Sequence, residues 1–259
     1  MVNGSDKIIL FLVYGSANSY YQVVFSILTL YFHIQSSSDQ IKIVVYTNNA
    51  ELLNKYLPTI PLIIKLISDD DIKEYRGKQD FNHRMKILVI DHCMREFNCD
   101  ILYVDGDTFF LKSPLNLIYS ISENVSLMHT PEYDMYSTKS ENCFKLTLRR
   151  TLEDPVTLND ASFRIPLTTI MWNAGVIGIS NENISLLGDV LTLTDQLYGS
   201  RPVHTAEQFA FSFVLQSNTE VIAADDYIQH YWMPNERAVY NKVIKSLFKN
   251  ILKVILMYI

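Results

Sequence analysis

At 259 residues, with 48% hydrophobic and 19% charged residues, the chain has the composition of a soluble globular protein able to bury one large core or two small ones. A formal net charge of -6 argues against a dedicated nucleic-acid binder, which would carry a basic stripe. No apolar run approaches the roughly 18 residues that span a bilayer, and the three cysteines, Cys93, Cys99 and Cys143, form no CxxC pair and read as reduced core thiols of a cytoplasmic protein.

Ile8–Tyr14 is an apolar run with no net positive charge before it, so it reads as a first strand and not as the core of a signal peptide. Gly15-Ser16-Ala17-Asn18 breaks it, and Tyr20–His33 carries apolar residues at helical spacing. Ile41–Tyr46 is a second strand, followed by a helix capped near Asn48 or Asn49 and running to Tyr56. Pro61–Ile67 is a third strand, with Asp69-Asp70-Asp71 in the loop after it. Asn82–Phe97 is a helix leading to Ile101-Leu102-Tyr103-Val104, an apolar run that suits a strand buried on both faces. Strands alternating with helices predict an α/β fold, a mostly parallel central sheet flanked by helices. Ligands of such sheets bind outside the carboxyl ends of the strands. The Gly15–Asn18, Asp69–Asp71 and Asp105–Asp107 loops all fall there.

The second half is less regular. Val125–His129 and Ile170–Ile179 read as strands, Thr205–Leu215 as a helix, and Val221–Ala224 as a short strand before Asp225-Asp226-Tyr227. No repeat or Gly/Pro-rich linker divides the chain, so residues 1–240 are expected to form one domain. Residues 241–259 predict a basic amphipathic helix. Ile244, Leu247, Phe248, Ile251, Leu252 and Ile255 share one face, Lys242, Lys245, Lys249 and Lys253 take the other, and no acidic residue follows Glu236. Such a helix either lies in an anionic membrane surface or docks its apolar face on its own domain.

The chemistry concentrates where the apolar strand ends, at Asp105-Gly106-Asp107. In extended chain, residues two apart point the same way, so both carboxylates are expected on one side with Gly106 leaving the space between them open. Two carboxylates repel by roughly 4 kcal/mol at ~4 Å and an effective dielectric near 20, and a divalent cation removes the repulsion. Oxygen ligands suit Mg²⁺ or Mn²⁺, which share a few carboxylates with phosphate oxygens. At 100° per residue Lys86 falls on the buried stripe of its helix with Ile90, Cys93 and Phe97, where a lysine must snorkel out or find an anion. Asp105 or a phosphate is the expected partner. In Met171-Trp172-Asn173-Ala174-Gly175-Val176, a polar and two small residues at the mouth of a strand permit close approach of a ligand to backbone. Glu207-Gln208 opens an apolar helix, where acidic residues ordinarily serve the helix dipole. His230, among aromatics, is ordinarily a core histidine, or else the imidazole that completes a metal site begun by two aspartates.

Six segments in order, Tyr14-Gly15-Ser16-Ala17, Arg84-Met85-Lys86-Ile87-Leu88, Leu102–Asp107, Trp172-Asn173-Ala174-Gly175-Val176, Glu207-Gln208 and His230-Tyr231-Trp232, resemble the glycosyltransferases of GT-A fold, and most closely family 8, the glycogenin and bacterial galactosyltransferase type. The resemblance runs from about Lys7 to Trp232. It implies that Asp105, Asp107 and His230 hold Mn²⁺ or Mg²⁺ against a nucleotide-sugar, usually a UDP-sugar. It implies further that Tyr14, Ser16 and Ala17 meet the nucleoside, that Lys86 and Asp105 meet the donor sugar, and that Gly106, Ala174 and Gly175 complete the donor site. Asn173, Glu207 and Gln208 would line the junction with a glycan, lipid-linked or protein acceptor hydroxyl. Two departures stand out: the family more often has Asp where Glu207 stands, and its phosphate-binding lysine after the histidine is missing here or replaced by Arg237 or Lys242. Some bacterial members of the family end in a basic, aromatic tail held at the inner membrane, which bears on residues 241–259. The rival readings are a haloacid-dehalogenase-type phosphatase, whose second motif position is poorly matched by Thr108-Phe109, and a non-catalytic sugar-binding protein on the same fold.

Overall fold

The computed structural model describes residues 7–34, 41–136 and 143–257, with side chains as far as Phe248. Its first half alternates as the sequence predicts: β1 (Lys7–Val13), α1 (Ala17–Ile34), β2 (Ile41–Thr47), α2 (Ala50–Tyr56), β3 (Leu62–Leu66), α3 (Asp69–Arg76), α4 (Arg84–Phe97) and β4 (Asp100–Val104). Asn49 caps α2, its side chain accepting from the Leu52 N–H. Asp69-Asp70-Asp71 is not a ligand loop. It is the first turn of α3, where Ser68 and Asp71 form a reciprocal capping box and the acidic run meets the helix dipole.

The second half consists of shorter pieces: β5 (Thr108–Phe110), α5 (Leu115–Ser120), β6 (Val125–Met128), β7 (Pro131–Asp134), α6 (Cys143–Thr151), β8 (Val156–Leu158) and β9 (Ala161–Phe163). There follow β10 (Ile170–Trp172), β11 (Val176–Ile179), α7 (Leu186–Ser200), α8 (Ala206–Asn218), β12 (Glu220–Ala223), β13 (Ile228–His230) and α9 (Pro234–Met257). The expected strand Ile170–Ile179 is therefore two strands, broken at Asn173-Ala174-Gly175.

The seven-stranded sheet has the order β12-β6-β11-β4-β1-β2-β3. β1 is parallel to β2 and β4, β2 to β3, and β6 to β12, whereas β11 runs antiparallel between β4 and β6. That reversal positions the site. Val176 at the start of β11 stands opposite Val104 at the end of β4, so the turn preceding β11 lies on the rim where β1 and β4 finish. β10 pairs with β7, and β13 with β5, in small antiparallel ribbons beside that rim.

Alternate residues of the central strands enter two separate cores. Ile8, Leu10, Ile101 and Tyr103 join α4, α7 and α8 on one face, and Ile9, Phe11, Val13, Leu102 and Val104 join α1 on the other. Burial on both faces explains why these strands are apolar without alternation.

Ile244 and Phe248 of α9 are buried against this second core, with Phe248 stacked on Tyr21 and edge-on to Tyr56, and Asn241 accepts from Gln22. Leu247 departs from the face expected of it: it is exposed with Val239 and Val243, because the docked stripe is narrower than the apolar arc. Ile251, Leu252, Ile255, Lys249 and Lys253 lie outside the described side chains. Among the described residues no helix is long and apolar enough to cross a membrane. No disulfide forms, and Cys93 and Cys99 are buried as expected, but Cys143 is exposed at the start of α6.

Candidate active site

The aspartate pair is a turn and not an extension of the strand. β4 ends at Val104, the Asp105 N–H donates to Gly175 O at 2.8 Å, and Thr108 Oγ1 donates back to Asp105 O at 2.8 Å. The carboxylates converge through this turn, so strand alternation was the wrong reason for their proximity. Gly106 has a different duty from the expected one. A Cβ there would stand 2.6 Å from Val23 Cγ2, so the glycine lets the turn sit against α1.

Asp105 is held from below. Its Oδ2 accepts from Lys86 Nζ at 3.2 Å and its Oδ1 from the Tyr103 hydroxyl at 2.9 Å. Lys86, on the core-facing stripe of α4 as its spacing predicts, also donates to Ala174 O at 2.8 Å and lies 3.3 Å from Glu207. Burial works against the charge on Lys86, but Asp105 and Glu207 outweigh it and raise the ammonium above its ordinary value. One ammonium thus serves two carboxylates, Glu207 buried and Asp105 part-buried. Glu207 is the worse served: burial pushes its carboxyl up to about 7, against the pull of Lys86.

Asp107 is held from the side. His230 Nε2 lies 3.3 Å from its Oδ1, and Arg237, in the first turns of α9, lies 3.3 Å from its Oδ2. Burial raises its carboxyl, yet the His230 hydrogen bond and charge, with Arg237, bring it down to about 2. His230 arrives on β13, whose ladder with β5 sets it opposite Thr108, next to Asp107. Its ring packs on Gly175, where a Cβ would come within 2.1 Å of Nδ1. Asn173 closes the arrangement: its Oδ1 faces the Gly175 N–H at 2.9 Å and His230 Nδ1 at 2.8 Å, and its Nδ2 donates to Glu132 at 3.0 Å. Gln208 Nε2 donates to the other Glu132 oxygen at 3.0 Å.

These groups border a cleft of about 570 Å³. Tyr14, Lys86, Asp105, Gly106 and Asp107 line it from the first half of the chain, and Asn173, Ala174, Gly175, Glu207, Gln208 and His230 from the second. Ser16 and Ala17 are not on its wall; they open α1 between Tyr14 and Ser19, which are. Of the two basic candidates on α9, Arg237 lines the cleft and Lys242 does not. Sequence reasoning missed Glu132, and also His83 and His204 on the wall. His83 is exposed on that wall, and partial desolvation with the charge of Lys86 beside it lowers its imidazole.

One ligand atom from each of Asp105, Asp107 and His230 falls within 4.8 Å of the others. Two carboxylates and an imidazole are a donor set that fits Mn²⁺ or Mg²⁺, and the cleft beside them brings three acids, Asp105, Asp107 and Glu207, against only Lys86 and Arg237 among basic lining residues.

No protein-family model and no curated protein matches this sequence. Solved structures do match in fold. Mouse xyloside xylosyltransferase 1 in its apo form superposes with a TM-score of 0.57 at 12% identity, over 85% of this chain and 86% of that one. The galactosyltransferase LgtC, in complex with donor and acceptor sugar analogues, superposes with a TM-score of 0.54 at 12% identity, over 84% of this chain and 73% of that one. The apo bifunctional glycosyltransferase WbbM gives a TM-score of 0.54 at 11% identity over 86% of this chain, which spans only 40% of that protein. The chain has the GT-A fold, and the phosphatase alternative loses its scaffold.

Proposed function

We propose that the chain is a metal-dependent glycosyltransferase of the family 8 type. It moves a hexose from a nucleotide-sugar, a UDP-sugar in this reading, to a hydroxyl of a glycan, lipid-linked or protein acceptor, with retention of configuration. The observation that carries the reading is the convergence of Asp105, Asp107 and His230 at the mouth of the cleft, on the rim where a GT-A sheet presents its strand ends.

In this reading Asp105, Asp107 and His230 hold Mn²⁺ or Mg²⁺, which when bound supplies charge neutralisation to the departing diphosphate. Tyr14, with Ser16 and Ala17 behind it, receives the nucleoside, and Arg237 stands where a phosphate oxygen can take its free N–H groups. Lys86, fixed by Ala174 O and two carboxylates, places positive charge beside the breaking bond without reorganising. Asn173, Glu207 and Gln208 form the wall against which donor sugar and acceptor hydroxyl are aligned. The bond from the anomeric carbon to the diphosphate oxygen breaks, the acceptor oxygen bonds to that carbon, and its proton leaves with the phosphate.

We further place residues 1–240 as the catalytic unit of a cytoplasmic protein, with peripheral membrane contact through the outer face of residues 241–259, whose Ile244 and Phe248 stay docked on the domain. The exposed Val239, Val243 and Leu247 beside Lys242 and Lys245 support that contact.

The test is a thermal-shift titration with UDP and Mn²⁺, followed by hydrolysis and transfer assays with UDP-glucose, UDP-galactose, their N-acetyl forms and GDP-mannose. The expected result is a Tm rise that needs both UDP and the metal, and turnover of one donor that falls at least about 100-fold in Asp107→Asn. No Tm rise and no effect of Asp107→Asn would favour a non-catalytic protein.

A further inference from the structure

Glu132 was invisible in the sequence, yet it is the hub of the polar network behind the cleft. β7 pairs with β10 through Asp134–Ile170 and Tyr133–Met171, and the register then jumps to Pro131–Trp172, leaving Glu132 without a partner across the ladder. A residue left over in this way is a bulge, and bulges re-aim a side chain. Here the side chain is aimed at two amides. Glu132 Oε1 accepts from Asn173 Nδ2 at 3.0 Å and Oε2 from Gln208 Nε2 at 3.0 Å.

The hydrogen-bonding capacities then leave little freedom. A carboxylate only accepts, so Asn173 must turn its NH₂ to Glu132 and its oxygen away. The Gly175 N–H, which only donates, fixes the same orientation from the far side at 2.9 Å. That oxygen faces His230 Nδ1 at 2.8 Å and cannot donate, so Nδ1 must carry the proton. Nε2, the nitrogen that faces Asp107 at 3.3 Å, meets that carboxylate only through a proton, and a divalent cation would take the proton's place.

We propose that Glu132 is a positioning residue: through Asn173 it fixes the ring and tautomer of His230 so that Nε2 is offered to a divalent cation shared with Asp105 and Asp107. The inference rests on the metal reading given above. By its second bond Glu132 ties this orientation to Gln208, so the metal side and the acceptor side of the cleft share one anchor.

The experiment has two arms, both on the full chain without nucleotide. Side-chain ¹H–¹⁵N spectra at neutral pH, with His230 assigned by its loss in His230→Gln, are expected to show a protonated Nδ1; a ring protonated at Nε2 alone overturns the proposal. Calorimetric titration with Mn²⁺ alone is expected to give about 10- to 100-fold weaker binding for Glu132→Met than for wild type. Glu132→Gln, which keeps one acceptor oxygen for Asn173, should retain more affinity than Glu132→Met, and the reverse order counts against the proposal. If wild type binds no Mn²⁺, the metal reading falls and takes this one with it. If wild type binds and Glu132→Met binds equally well with an unchanged tautomer, only the role of Glu132 falls.

Discussion

Asp105 and Asp107 leave the same turn, but their surroundings are opposites. Asp105 rests on Lys86 and Tyr103, two buried groups from α4 and β4 that are themselves tied to Ala174 and Glu207. Asp107 is met by His230 and by the half-exposed Arg237 from the late elements β13 and α9. The first setting is anchored in the core through buried Lys86 and Glu207, although 26% of the Asp105 side chain stays exposed to the cleft. In the second, Asp107 and His230 are themselves buried and only Arg237 is open, so Arg237 is the partner that an arriving phosphate can draw off. A pair of like residues can thus differ by what holds them, Asp105 by a core lysine and Asp107 by an exchangeable surface arginine.

The largest effect that separates the two settings should come from Lys86→Met. It leaves buried Glu207 and part-buried Asp105 without their cation, and loss of one partner of a buried pair such as Lys86–Glu207 costs about 3–5 kcal/mol. Urea denaturation reads this directly, and a loss under 1 kcal/mol would mean that the Asp105 side is no more committed than the other. Next comes the pH response of Glu207. Its carboxyl is raised to about 7 by burial, so the stability it lends is complete below the ordinary value of 4.5 and is lost as pH rises through about 7. Glu207→Gln removes that dependence, and relative to wild type it should gain up to about 3 kcal/mol at pH 8 over its standing at pH 4.5. Parallel melting curves at the two pH values check the sign, and a larger gain at the acidic end would reverse it. The smallest change is expected from Arg237→Ala. Its ion pair with Asp107 is half exposed, so stability should move by less than about 1 kcal/mol. Affinity for UDP, measured by calorimetry with Mn²⁺, should still drop, and an unaltered affinity would leave Arg237 as surface decoration.

How much of this was legible varies along the chain for physical reasons. β1, β2 and β4 announce themselves because both of their faces are largely buried, β3 by its apolar run alone, and Lys86 because helical spacing set a charge among apolar residues. Asp105 and Asp107 were the right residues for an imperfect reason, since a turn gathers them and not the strand period. His230 and Asn173 were only weakly readable without the resemblance, because β13, which carries the first, and β10, which the second follows, are three residues long and show no period. Glu132 left no trace at all: nothing in Thr130-Pro131-Glu132-Tyr133 marks a register jump that arises only when β10 lies alongside. α7 also escaped notice, since its glycines and threonines depress helix propensity and its packing on α8, α4 and β8 stabilises it.

The reversed strand in the middle of the sheet governs the order in which this molecule can assemble. β1, β2 and β3 pair in chain order across single crossover helices, whereas β4 closes on β1 across a long stretch of chain and β11 then enters between β4 and β6. Until it does, Asp105 lacks the carbonyl of Gly175, and Asn173 and His230 have no seat. The seat of the carboxylates is therefore completed late, and pulsed hydrogen exchange should find the amides of β1 and β2 protected before those of Val176–Ile179.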